Sequence, residues 1–85
     1  MAPEQVIVTI QTESGSFSGD YELPANIPAG RLSKLLLEAL VQRSPQQFGH
    51  WKGLELVCGG SVLSEKETLT SRSIWDGSVV NIREG

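Results

Sequence analysis

Only one stretch of this 85-residue chain repeats at helical spacing, and it lies between segments that alternate like strands. Leu32, Leu35, Leu36, Ala39 and Leu40 recur three and four residues apart, the interval that gathers side chains on one face of a helix. Arg31, Lys34, Glu38 and Gln42 take the opposite face. Pro28 suits the first turn, because its missing N–H would have had no partner there. Ser44-Pro45 closes the run, since a residue before proline avoids helical angles. The spacing predicts a helix over residues 28–43, weakened at its start by Gly30, which costs about 1 kcal/mol against alanine. A lone amphipathic helix needs a sheet to cover its apolar stripe.

The sheet is supplied on both sides. Val6-Ile7-Val8-Thr9-Ile10-Gln11-Thr12 is β-branched almost throughout, a strong strand signal. Period two sends Val6, Val8 and Ile10 to one face and Ile7, Thr9 and Gln11 to the other. Glu13-Ser14-Gly15-Ser16 reads as a turn. Phe17, Gly19, Tyr21 and Leu23 then alternate with Ser18, Asp20 and Glu22, so the N-terminus predicts a β-hairpin. Gln46 to Gly49 reads as a loop. Trp51 to Cys58 predicts a third strand with Leu54 and Leu56 inward and Glu55 and Val57 outward. Gly59-Gly60 is a turn, and Val62-Leu63 a short edge strand. Glu65 to Ser71 reads as a loop or helical turn, and Val79 to Arg83 as the last strand. The expected class is α+β, with one mixed sheet and one main helix packed on it.

Size and charge bound the function. One domain is expected over residues 1–85, with its core over about 5–83. A formal charge of −3, with Lys and Arg scattered, leaves no electrostatic footprint for nucleic acid or an anionic membrane. No apolar run approaches the ~20 residues of a membrane span. Met1-Ala2-Pro3-Glu4-Gln5 lacks the basic start and apolar stretch of a signal peptide. Cys58 is the only cysteine, which suits a reducing compartment. The expectation is a cytoplasmic protein that neither binds nucleic acid nor inserts into a membrane.

Chemistry finds little to work with. His50 is the sole histidine, so no Ser-His-Asp or Cys-His arrangement can be assembled around it without giving it every role. Cys58 has no basic neighbour in sequence to lower its pKa. One His and one Cys cannot complete a zinc site. Gly59-Gly60-Ser61 lacks the pattern of a phosphate or dinucleotide loop. Neither an enzyme nor a cofactor or metal site is expected.

The anchors Leu63-x4-Thr68-Leu69-x4-Ile74, followed by Val80-x-Ile82, stand in the order and spacing of the second half of ubiquitin. Nearly the whole chain resembles ubiquitin in architecture, which implies a β-grasp fold. A narrower resemblance rests on Tyr21-Glu22-Leu23-Pro24-Ala25-Asn26-Ile27-Pro28 with Leu32 and Leu36, then His50-Trp51, then Thr68-Leu69 and Ile74-Trp75-Asp76-Gly77. These residues resemble the YukD/EsaB family, itself similar to the N-terminal domain of the EccD membrane proteins. The resemblance implies an accessory or regulatory component of bacterial type VII secretion, the export route of small helical proteins with a WXG motif. Its partners would be proteins, including cytoplasmic parts of the secretion membrane complex, and it would be a monomer or weak homodimer. A domain cut from a larger EccD-like chain is a further reading.

The rival is a ubiquitin-like modifier or sulfur carrier acting through a C-terminal Gly-Gly. Here the chain reads Ile82-Arg83-Glu84-Gly85, with Glu84 in place of the penultimate glycine. If Ile82 is the last inward anchor, three residues project, about 10 Å at full extension. Gly85 is therefore expected to be an ordinary residue and not a reactive terminus. The remaining function must lie on a surface. Ubiquitin's exposed apolar patch maps to Val57, Arg83 and a position near Ser14, so it is not reproduced. Phe48, Trp51 and Trp75 are the aromatic candidates, with Trp51 read first as a core cap. Trp75, borne on a turn, is an attractive contact residue or a lid folded over the sheet edge. Ile7 and Val79 face outward. Trp75, Val57, Ile7 and Val79 are the candidate protein-contact residues.

Overall fold

The computed structural model describes residues 4–85. Strand β1 (Gln5–Thr12) turns into β2 (Ser18–Pro24), and the chain then enters helix α1 (Ala29–Arg43) and a single-turn helix α2 (Pro45–Phe48). Strands β3 (Leu54–Cys58), β4 (Ser61–Val62) and β5 (Val79–Glu84) follow. The five strands form one sheet in the order β2-β1-β5-β3-β4. All pairings are antiparallel except that of β1 with β5, where Thr9 lies beside Val79 and Thr12 beside Ile82. A mixed sheet carrying one main helix is the expected α+β arrangement.

The core lies between α1 and the inner face of the sheet. Val6, Val8 and Ile10 of β1 and Val80 and Ile82 of β5 meet Leu32, Leu36 and Leu40 of the helix, all nearly inaccessible to water. The helical stripe is narrower than the spacing predicts. Leu35 is largely exposed, while Leu37 and Val41 pack partly against the core. The sheet reaches the flank of Leu37 and not that of Leu35, so tertiary position decides between two leucines that sequence treats alike.

The start of α1 is held from outside the helix. Pro28 gives no side-chain cap, and the first N–H groups of any helix lack internal partners. Here Ala29 N–H donates to the Glu67 carbonyl at 2.7 Å and Gly30 N–H to the Glu65 carbonyl at 3.0 Å. This contact also explains Gly30, because a Cβ there would lie 3.2 Å from Glu65 Cβ. The residue that weakens the helix locally permits the close approach that anchors it.

Residues 64–78, which form no strand, wrap the core by single apolar anchors. Leu63, Leu69 and Ile74 are buried. Between them, Thr70 N–H reaches the Ala25 carbonyl and Ile74 N–H the Leu69 carbonyl. The segment read as a loop from Gln46 to Gly49 is in fact mostly α2. Pro45 starts it, and Phe48 is driven into the core, edge-on to Phe17 and Trp51 at centroid distances of 5.2 and 4.9 Å. Phe48 is therefore a core residue and no surface candidate, whereas Trp51 caps the core as expected.

Candidate functional site

The register of the strands places every outward residue on a grid. Along one row stand Glu22 and Ile7, along the next Asp20, Thr9 and Val79. A third row crosses the whole sheet through Ser18, Gln11, Asn81, Val57 and Val62. Ile7, Val79 and Val57 each sit one strand over and one row along from the last. Such diagonal neighbours are about 7–8 Å apart, within reach of a shared contact. With Val62 they make an apolar stripe running obliquely over the face that turns away from the helix. Ile7 is 50% exposed, Val79 49% and Val62 37%, while Val57 is half-buried.

Trp75 stands at the Ile7 end of the stripe. Its turn is fastened to β1 at three points. Ile7 N–H donates to Asp76 Oδ1 at 2.7 Å, Gly77 N–H to the Ile7 carbonyl at 2.9 Å, and Thr9 N–H to the Ser78 carbonyl at 2.9 Å. Within the turn, Trp75 N–H donates to Ser78 Oγ at 3.0 Å. Gly77 takes a φ of 87°, a conformation in which a side chain would be strained. The backbone of Trp75 is thus fixed while its ring is left 50% exposed. Exposure of a large aromatic on a rigid turn costs little conformational entropy when a partner covers it. Of the four sequence-predicted residues, Ile7, Val79 and Val57 share one face, Val62 extends their stripe, and the turn that carries Trp75 is bonded to β1 beside Ile7. Val62 could have been found from its place two residues past the Gly59-Gly60 turn, opposite Val57.

Charge frames the stripe unevenly. Asp20 and Glu22 lie beside its Ile7 end, with Asp20 Oδ1 accepting from Thr9 Oγ1 at 2.8 Å. At the other end Arg83 bonds Glu55 at 2.8 Å and stands 3.8 Å from Glu13. The hydrogen bond that Arg83 Nε–H donates to Glu55 Oε1, reinforced by the carboxylate's charge, raises the Arg83 pKa further above its ordinary value. Arg83 thus occupies one of the three positions that ubiquitin's apolar patch would fill, and here it is engaged by carboxylates.

The remaining polar candidates are dispersed. His50 is exposed and Cys58 half-buried. Among the described residues no group of three or more His, Cys, Asp or Glu side chains could hold a metal ion, and no helix is long and apolar enough to cross a membrane. The last strand runs one residue beyond the expected Arg83. Residues 83 to 85 do not project but continue along β3, where Gly85 N–H donates to the Gly53 carbonyl at 3.1 Å. Pairing of Leu54 with Glu84 carries the antiparallel ladder past the last buried anchor, Ile82.

A helix laid on a five-stranded mixed sheet, with parallel terminal strands and a wrapping segment before the last strand, defines a ubiquitin-like domain. The ubiquitin-like domain of EccD5 from Mycobacterium xenopi superimposes with a TM-score of 0.78 at 20% identity, over 95% of this chain and 94% of that one. The ubiquitin-like domain of the type VII secretion system protein ECCD1 of Mycobacterium tuberculosis gives 0.74 at 24% identity, over 96% and 98%. A chain in the MycP5-free ESX-5 inner membrane complex gives 0.76 at 24% identity, covering 95% of this chain. This chain spans 21% of that one. No curated protein sequence matches significantly. The profile of protein YukD of the WXG100 protein secretion system matches residues 5–82, and the chain belongs to that family.

Proposed function

We propose that this protein is a non-catalytic interaction module of a type VII secretion system. It works in the cytoplasm and docks through the outer face of its sheet onto a cytoplasmic part of the secretion membrane complex. The observation that carries this reading is the oblique stripe of Ile7, Val79, Val57 and Val62 with Trp75 held at its end. Apolar side chains on an exposed sheet face are stabilised by a partner that removes them from water, at about 25 cal/mol per Å² buried. Aromatic anchors surrounded by smaller apolar contacts are the usual energetic centre of such interfaces. Membership of the YukD family supports the secretion context. So does the likeness to a domain within an ESX-5 inner membrane complex.

Affinity purification of tagged protein from membranes of its native host tests the reading. Secretion-complex subunits should co-purify with the wild type and be lost with Trp75→Ala combined with Ile7→Ser. Recovery of the same subunits with that variant would move the interface elsewhere on the domain. Their repeated absence with the wild type would remove the proposed role.

A further inference from the structure

The hairpin that opens the chain leaves one edge of the sheet without a neighbour. Strand β2 is the outermost strand beside β1, and no other strand lies along its far side among the described residues. Two bonds fix which of its backbone groups are free. Thr12 N–H donates to the Phe17 carbonyl at 3.0 Å, and Ala25 N–H to the Glu4 carbonyl at 2.9 Å. In an antiparallel pair, bonded residues alternate with unbonded ones, and the register here runs unbroken from Gln5 with Pro24 to Gln11 with Ser18. Phe17, Gly19, Tyr21 and Leu23 therefore turn their N–H and C=O groups to β1. Ser18, Asp20 and Glu22 turn theirs outward from the edge. Sheet edges are commonly blunted by brevity, proline or a bulge. Here the strand is seven residues long, and its one proline, Pro24, is the last of them.

The same three residues carry their side chains on the face that turns away from the helix, and all three are exposed. Asp and Glu are depleted in strands, so Asp20 and Glu22 stand here against local preference. They are two residues apart, about 7 Å along the strand. Asp20 accepts from Thr9 Oγ1 at 2.8 Å, and neither carboxylate forms an ion pair among the described residues. The charge around them has one sign. Residues 1–30 contain Glu4, Glu13, Asp20 and Glu22 and no Lys, Arg or His. The turn bonded to Ile7, the residue opposite Glu22, adds Asp76. Among strand residues the one cation is Arg83 of β5, and Glu55 and Glu13 already engage it. Arg43, which also reaches β2, lies on the helix side of the sheet, 5.9 and 5.6 Å from the ring centroids of Phe17 and Tyr21.

The geometry points to the β2 edge as a strand-addition site for an extended segment of a partner protein with Lys or Arg at alternate positions. Backbone groups of the segment would pair with those of Ser18, Asp20 and Glu22. Its basic side chains would lie beside Asp20 and Glu22 on the outer face. Main-chain bonds of this kind give affinity, and complementary charge gives selectivity. A second copy of the chain fits poorly. Antiparallel pairing of two β2 strands about Tyr21 sets Asp20 against Glu22, and like charges directly opposite are destabilising. The edge adjoins the Ile7 end of the apolar stripe but uses none of its side chains, so the assignment does not rest on the proposed function.

Selection of displayed random heptapeptides against the full chain tests the assignment. Enriched peptides should carry Lys or Arg at alternate positions. Titrated in turn, they should shift the amide signals of Ser18, Asp20 and Glu22. Hydrogen exchange at the Asp20 and Glu22 amides should slow, because those N–H groups gain partners. Asp20→Asn with Glu22→Gln, nearly isosteric and at exposed positions, should keep the fold and weaken binding by about tenfold or more at low salt. Added salt should bring the wild type toward that variant, and Trp75→Ala should bind the peptides as the wild type does. Four results would each overturn the assignment: no enrichment, or peptides without alternate basic residues; equal binding by the double variant; unchanged exchange at Asp20 and Glu22; or loss of binding in Trp75→Ala, which would give the peptides to the stripe. A concentration-dependent dimer that slows exchange at the same two amides would give the edge to a second copy of the chain and equally overturn it.

Discussion

The two faces of the sheet are built from the same kinds of residue and live in opposite environments. Val8, Ile10, Val80 and Ile82 point toward the helix and are at most 1% exposed, whereas Ile7 and Val79, their immediate neighbours in sequence, are about half exposed. Nothing in side-chain chemistry separates Ile7 from Ile10. Register does, because a shift of one residue along a strand exchanges its faces. The inner face meets α1, so its β-branched side chains are spent on stability. On the outer face no other element among the described residues covers Ile7 and Val79, so they remain available to a partner.

Stability measurements can break that contrast. Ile10→Ala should destabilise the domain by about 2–5 kcal/mol, because the lost transfer energy is joined by a cavity that a packed core fills poorly. Ile7→Ala should stay within about 0.5 kcal/mol. Urea unfolding of the pair, at unchanged slope, reads both. Comparable losses at the two positions would mean that the outer face contributes to the core after all.

A smaller effect concerns the turn that presents Trp75. Asp76→Ala removes the acceptor of the Ile7 N–H and should cost about 1 kcal/mol, the usual worth of such a bond. Its sharper consequence is local. Amide exchange at Ile7 should rise well before global unfolding, and the Trp75 ring should lose its fixed backbone. If exchange at Ile7 is unchanged, the turn is held by its backbone bonds alone and Asp76 contributes nothing to presenting the aromatic.

The least effect is expected in the wrapping segment, which belongs to neither face. Glu67 accepts from Ser64 N–H at 2.8 Å and pairs with Arg72 at 3.2 Å. The backbone donor, more than the guanidinium, holds its carboxyl below the ordinary value of 4.5. A carboxyl whose pKa falls on folding stabilises the native state above its unfolded pKa, and that contribution disappears as pH drops through the lowered value. Glu67→Gln should therefore lower the thermal midpoint slightly at neutral pH. The gap to wild type should close as the medium is acidified below the ordinary carboxylate range. A gap that persists in strong acid would assign the role of Glu67 to shape and not to charge.

Much of this was readable from residues alone. The hairpin alternation of Val6 to Thr12 and Phe17 to Leu23, the helical spacing from Leu32 to Leu40, and the anchors at Leu63, Leu69 and Ile74 all appear where their periodicity put them. The misreadings share one cause. The exposure of Leu35, the burial of Phe48 on α2 and the pairing of residues 83 to 85 depend on what lies across from them, and local pattern does not contain that. Ile7, Val79 and Val57 fall into one oblique stripe through the parallel register of β1 with β5 and the antiparallel register of β5 with β3, which no local pattern contains.

Local sequence settled which segments become strands and which becomes the helix, because apolar period and turn residues act over a few neighbours. Only the tertiary structure decided which half of each strand meets the helix and where the helix finds partners for its first N–H groups. These depend on contacts between residues distant in the chain, whose geometry is set when the whole sheet closes around its core.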